Sequence, residues 1–300
     1  MWGLRMKVAI LANESRKNKD NPIIKEAEQA FDEVIYAPIK KVRFDLVSKG
    51  LSNGISLEFE GFNLADADCV LVIPTNNYKE LFYTALRMLD GCITSFDHKT
   101  YMLTINEDML LNFLNSNDII VRKSLVVSSN ISIDKISERI KLPAIVCPPT
   151  KRVVVTNKQT LKDVLSLYKY GTPIRIETPI KSEKNVWLFI LEDEVIACYE
   201  KMKNVDKVTA VDDDLKKLAI KIRNLVNCEY CAMHFLKRGG KTKSEWVFDR
   251  LTFSPDFSNF QKITGVNIGR YVISHFSERV KKIEKGGWQK KLENIFRFWK

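Results

Sequence analysis

Residues 248–269 read FDRLTFSPDFSNFQKITGVNIG, and their reading decides the fold. The segment closes a strand that begins at WVF, turns through SPD, and leads into the helix NIGRYVISHFSERVKKI. The question it raises is what chemistry such a strand and turn can carry. Ser254-Pro255-Asp256 is a turn, and Gly265 punctuates the approach to the helix. The strand carries Arg250 and Thr252, neither of them an anionic oxygen donor.

Working outward, KVAILA (Lys7–Ala12) is a buried-type strand, IIKEAEQAF has helical spacing, and DEVIYAPI is a second strand. CVLVIPT (Cys69–Thr75) is a third, and KELFYTALRMLDG is a helix closed by Gly91. Strands alternating with helices predict a parallel α/β unit that ends near Cys92. Beyond it, EDMLLNFLNSNDI reads as an amphipathic helix. VRKSLVVSS, LPAIVCPP and KRVVVT are strands, and TLKDVLSLYKYG is a helix ended by Gly171. PIRIETPI, VWLFILEDEVIACYEKM with Glu192–Asp193 at its turn, and WVFDRLTF form a second set of strands. VDDDLKKLAIKIRNLV is a helix whose first turn is acidic, as the helix dipole favours.

The chain has 300 residues, 45% hydrophobic and 28% charged, enough for two or three packed layers. No apolar run approaches the roughly 20 residues a bilayer span needs, so no membrane span is expected. MWGLRMKVAIL lacks a long apolar segment, so no signal peptide is expected either. Six scattered cysteines fit a reducing, cytoplasmic setting. The four glutamines, beside plentiful Lys, Glu and Ile, lean toward a thermophile-like composition. A net charge of +11 suits an acidic partner such as nucleic acid, or a well-solvated basic surface.

The motifs SPDFSNFQKITGVNIG and EDEVIACYEK, in this order of strands and helices, resemble the ATP-grasp ligases of the RimK type from about Lys7 to Phe276. The resemblance implies an α/β and α+β chain: the ATP-grasp fold behind an N-terminal parallel α/β (pre-ATP-grasp) domain. The expected blocks are that domain at 1–92, a small middle subdomain at 93–165, a C-terminal subdomain at 166–284, and a basic aromatic tail at 285–300. It also implies ATP and Mg²⁺ as ligands in an active member, which would join an amine to a carboxylate. Such chemistry rests on positioning and on neutralising phosphate charge.

At the family's functional positions this chain departs repeatedly. The metal-bearing Glu and Asn fall on Arg250 and Thr252, and the upstream Asp falls near Met233 or His234. A cation at a magnesium-ligand position repels the ion. Shifting the register by one would use Asp249 but pair it with Leu251, because strand faces alternate. The two nucleotide lysines become Met109 and Cys147. The phosphate loop shrinks to PPTKR, where proline supplies no N–H. The acidic hinge residue becomes Thr178, with Glu177 beside it, and Asp-Ile-Arg becomes Asn185-Val186-Trp187. The expectation is therefore a degenerate member without catalytic, cofactor or metal residues, acting as a binding or accessory protein. Two alternatives stay open: a divergent active ligase using ATP and Mg²⁺, and an inactive subunit supporting an active paralogue.

CEYCAMH places Cys228, Cys231 and His234 at metal-friendly spacing, but a second pair of ligands is missing, and packing in the fold explains the cysteines as well. KRGGKTK (Lys237–Lys243) is a basic turn that could touch phosphate or simply face solvent. VDDDL reads as a helix cap. Residues 278–300 carry eight Lys/Arg and three Glu, a local net of +5. After a KGG joint expected to break the chain, Gln289, Leu292, Ile295 and Phe296, followed by Phe298 and Trp299, resemble the clamp-binding (PIP box) peptides of sliding-clamp partners. The same residues suit a C-terminal helix docked on its own domain, or a membrane surface.

Overall fold

A computed structural model describes residues 5–13, 22–45, 56–75, 77–148, 152–203, 205–239 and 245–298, with side chains described as far as Ile283. In chain order the elements are β1 (Lys7–Ala12), α1 (Pro22–Ala30), β2 (Glu33–Pro38), β3 (Arg43–Asp45), β4 (Ser56–Phe59), β5 (Phe62–Asn63), β6 (Cys69–Ile73), α2 (Lys79–Met88) and α3 (His98–Ile105). There follow α4 (Glu107–Asn115), β7 (Ser124–Ser128), α5 (Ile133–Ser137), β8 (Ala144–Cys147), β9 (Val153–Val155), α6 (Lys158–Ser166) and β10 (Pro173–Glu177). The remainder are β11 (Ser182–Leu191), β12 (Glu194–Glu200), β13 (Lys207–Val208), α7 (Asp213–Val226), β14 (Tyr230–Arg238), β15 (Glu245–Thr252), α8 (Phe257–Thr264) and α9 (Ile268–Phe298).

The chain divides into two compact units, each assembled from separated segments. The first holds residues 1–106, 187–233 and 251–300; the second holds 107–186 and 234–250. A five-stranded sheet has the order β13-β12-β11-β14-β15.

In the first unit, β2-β1-β6 form the parallel sheet that the alternation of strands and helices predicts, with Val8 opposite Val34 on one side and Cys69 on the other. The sequence reading passed over a small antiparallel sheet, β3-β4-β5. Its strands are two to four residues long, too short for a hydrophobic period to show. A continuous apolar core joins Ile10 and Leu71 to Phe189, Tyr230, Phe257, Phe260 and Phe276.

The opening stretch supplies the joints of this unit. Asp256 caps α8, accepting from the Asn259 N–H at 2.9 Å, and Gly265 ends it with φ 72°. Only a residue without Cβ takes that conformation cheaply. Asn267 then accepts from the Arg270 N–H at 3.1 Å at the start of α9. Gly269 lets α9 meet α1: a Cβ there would lie 3.1 Å from the Pro22 carbonyl carbon. The acidic run before α7 is a cap, with the Asp212 carboxylate accepting from the Leu215 N–H at 2.8 Å.

One expectation is corrected. The α9 backbone continues through Gly286 and Gly287 to Phe298 instead of breaking at KGG. Glycine adopts right-handed helical angles freely, at about 1 kcal/mol each relative to alanine, and Lys, Gln, Leu and Glu around the pair are good helix formers. The side chains of Gln289, Leu292, Ile295, Phe296 and Phe298, and all of Trp299, lie outside the described residues, as do most of PPTKR and residues 240–244 of the basic turn.

The second unit is an antiparallel sheet of order β7-β10-β8-β9. Val127, Val146, Val155, Ile174 and Ile176 bury against Leu161 and Leu165 of α6 and Ile136 of α5. Among the described residues no helix is long and apolar enough to cross a membrane.

Candidate functional site

The alternation of β10, read as PIRIE, sends its residues to two different environments. Ile174 and Ile176 enter the core, so Arg175 and Glu177 must share the other face. Across that face Arg175 pairs with Val126 of β7 and Cys147 of β8, and Glu177 pairs with Ser124 and Ile145. The first turn of α4 presents Glu107, whose Oε2 lies 2.6 Å from Arg175 Nη2, and Asp108, whose Oδ1 lies 3.0 Å from Arg175 Nη1. Burial opposes the charge of Arg175. Glu107, Glu177 and Asp108 more than offset that, so its guanidinium is held charged even more firmly than usual.

At the centre sits Arg122, just before β7, with a side chain only 4% exposed. Its Nη1 donates to Glu177 Oε2 at 2.5 Å. Its Nη2 lies 2.5 Å from Asp249 Oδ1, donates to the Asp249 carbonyl oxygen at 2.9 Å, and reaches Glu107 Oε1 at 3.5 Å. Asp249 also meets His234 Nδ1 at 2.7 Å and Arg250 Nε at 3.5 Å, and His234 Nε2 faces Asn185 Oδ1. Burial pushes the Asp249 carboxyl up. The hydrogen bond from His234 and the charges of Arg122, His234 and Arg250 win, and hold it down at about 2.

The packing is incomplete in one respect. Arg122 Nε, Arg175 Nε and Glu177 Oε1 are buried without a hydrogen bond. Arg175 Nε lies 2.8 Å from Glu177 Oε1, close enough for an ion contact but off the line a hydrogen bond requires. Arg152 Nη2 is 3.8 Å from the same oxygen.

The positions singled out from sequence are thus sorted. Asn185, His234 and Arg250 gather around Asp249. Cys147 lies opposite Arg175, its thiol pushed up to about 11 by burial and Glu177, against the pull of Arg152 and Arg175. Met109 is exposed on α4, and Thr178 donates its N–H to the Lys123 carbonyl at 3.0 Å just past β10. Trp187 and Thr252 belong to the first unit: Trp187 packs on the apolar core, and the Thr252 hydroxyl accepts from the Ser254 N–H at 3.1 Å. Sequence reasoning missed Arg122, Arg175 and Glu107 altogether, and met Glu177 and Asp249 only as neighbours of aligned positions.

Comparison with known proteins adds the frame. No family model matches the chain, and no curated protein matches it. Solved structures do. The ATP-grasp ligase PsnB, complexed with precursor peptide PsnA2 and AMPPNP, has TM-score 0.69 at 13% identity over 91% of this chain and 98% of that one. A RimK domain protein ATP-grasp from Sphaerobacter thermophilus DSM 20745 has TM-score 0.69 at 14% identity, covering 89% of this chain and 98% of that one. This is the ATP-grasp fold. D-alanine–D-alanine ligase from Bacillus anthracis, complexed with ATP, shares the ATP-grasp fold with TM-score 0.67 at 14% identity over 92% and 98%.

An ATP-grasp fold implies ATP and magnesium, and the donor set of the second unit can be tested against the metal. Magnesium needs several oxygens free to close around it at near-octahedral geometry. Glu177 and Asp249 are the most deeply buried carboxylates here, and each already has the Arg122 guanidinium at 2.5 Å. Arg152, Arg175 and Arg250 add positive charge against Glu107, Glu177 and Asp249. A divalent ion would have to displace a fixed cation, so these residues do not fit magnesium.

Other groupings are less convergent. Cys228 and Cys231 are buried free thiols, and burial with the neighbouring Cys228 raises Cys231 well above the ordinary thiol range. His234 is three residues along the same strand from Cys231 and so on its opposite face, where its nitrogens meet Asp249 and Asn185. Glu192, Glu229 and His275 bring donor atoms within 4.8 Å of one another in the first unit. Glu229, however, is engaged by both His275 and Arg279.

Proposed function

We propose that this chain is a degenerate, RimK-like member of the ATP-grasp group that has given up magnesium-dependent ligation and works by holding a macromolecular partner. The observation that carries this reading is the Arg122 guanidinium bonded to Glu177 and Asp249 within the second unit. An acyl-phosphate mechanism needs a cation bound with the nucleotide. A cation fixed by the chain occupies the carboxylates without bringing any phosphate. Mg–ATP calorimetry on the full chain tests it: no saturable heat is expected, and magnesium-dependent binding in the micromolar range would reject it.

The net charge of +11 favours an acidic partner surface. A peptide or protein partner is supported by PsnB, which was solved with a precursor peptide. The tail residues Gln289, Leu292, Ile295 and Phe296 give one specific form of this reading, a sliding-clamp partner. Capture of a clamp by the full chain, lost on truncation after Lys285, is the expected result. Equal capture by both chains would end the clamp form. Co-purification of an active paralogue instead would make this chain an accessory subunit.

A second reading has its own observation. Arg175, directly across from Cys147, supplies a cation on the strand beside the one where the resemblance expects a lysine. A divergent ligase could ground a phosphate there, and the same calorimetry separates the two readings.

A further inference from the structure

The oxygens around Arg122 form an unusual set for an arginine. Glu177 Oε2 and Asp249 Oδ1 at 2.5 Å, the Asp249 carbonyl at 2.9 Å and Glu107 Oε1 at 3.5 Å converge on its two terminal nitrogens. All four are hard oxygen donors, the chemistry that magnesium, manganese and calcium prefer. A guanidinium, by contrast, is a planar fork of five fixed N–H donors. Its fit here is imperfect: Arg122 Nε finds no acceptor, and Glu177 Oε1, though Glu177 is fully buried, has only a poorly aligned ion contact with Arg175 Nε at 2.8 Å and a longer one with Arg152 at 3.8 Å. A spherical ion imposes no such fork and could draw on either oxygen of a carboxylate.

We propose that Arg122 is a built-in counter-ion in the place of a divalent metal, so that Glu107, Glu177 and Asp249 become a divalent-cation site once its charge is removed. The proposal rests on the reading that magnesium chemistry has been given up, and it names the residue that keeps the site closed. Without Arg122, Arg152, Arg175, Arg250 and His234 still face the carboxylates of Glu107, Asp108, Glu177 and Asp249, but the two buried oxygens Glu177 Oε2 and Asp249 Oδ1 lose the cation that lies 2.5 Å from each. Such a group either protonates or recruits a cation.

The alternative is a purely structural ion-pair cluster. Removing Arg122 from that would cost stability and create no affinity for metal. Full-length wild type, R122A and R122Q are titrated with manganese(II) chloride at neutral pH by calorimetry and by thermal unfolding, with potassium chloride as the ionic-strength control. The expected result is silence in wild type and one bound manganese per chain in the variants. Their melting temperature should rise by about 3 °C at a tenfold excess over Kd. Adding E177Q to R122A should weaken manganese at least tenfold. Should R122A not fold, R122Q carries the same measurement. Should neither fold in metal-free buffer, recovery of the folded circular-dichroism signal on adding manganese supports the proposal, and no recovery overturns it. A folded variant that ignores manganese, or a wild type that binds it equally well, also overturns it. Absence of manganese binding in the variants leaves the loss of Mg–ATP ligation untouched, whereas Mg–ATP binding by wild type would strike that reading first.

Discussion

The two units bury different things. In the first, Phe189, Tyr230, Phe257, Phe260 and Phe276 meet in a core of hydrocarbon, where each ring adds burial irrespective of its neighbours' charge. In the second, Arg122, Glu177 and Asp249 lie almost wholly out of water, with Glu177 on the face of β10 opposite the one that enters the apolar core. Taking ions out of water costs several kcal/mol each, and mutual attraction roughly restores it, so an intact buried cluster stabilises little. The difference teaches that the aromatic core accounts for folding, while the charge cluster needs a reason beyond folding.

The largest expected effects test that contrast directly. F276A should cost about 3–5 kcal/mol in urea unfolding, and a second core truncation, F260A, should cost more on top. R122A should also cost about 3–5 kcal/mol, because it strands buried carboxylates. Here a second change should help: R122A/E177Q should recover part of the loss, since a neutral amide no longer needs the cation. Additive losses in both regions would erase the distinction.

Acid offers a smaller effect. Asp249 titrates at about 2 in the folded chain, below its ordinary 3.8, so its ionised form stabilises the fold. That contribution is complete above the ordinary value and is lost as pH falls toward 2, about 2 kcal/mol in all. D249N should flatten the fall in urea midpoint between pH 4 and pH 2 relative to wild type. An unchanged slope would mean that Asp249 is not held down by Arg122 and His234.

Smaller still is the joint of the first unit. D256A removes the carboxylate that caps α8 and should cost about 1 kcal/mol, with the urea slope unchanged. A loss as large as that of F276A would show that the turn is more than a local cap.

How much of this could be read in the sequence follows from the same contrast. The core strands announce themselves: KVAILA and CVLVI are unbroken apolar runs, and Asp212, Asp256 and Gly265 mark helix ends by rules that act over a few residues. The charge cluster has no such local signature. Arg122 and Asp249 are 127 positions apart, and taken singly each looks like a surface residue. Two hints were present. PIRIE places Arg175 and Glu177 opposite two isoleucines, and WVFD ends a buried run on a carboxylate. Only the pairing of β10 with β7 and β8, and the approach of β15 to the segment before β7, shows that these charges share one place. The tail motif asks a question that the described side chains do not reach, since they end at Ile283.

The central claim is that the cation of the second unit belongs to the chain and not to a nucleotide complex. Titration of the full-length protein with ATP in the presence of magnesium, by isothermal calorimetry, tests it most directly. The account predicts no saturable heat, with or without magnesium. Magnesium-dependent binding of ATP at micromolar affinity would contradict it.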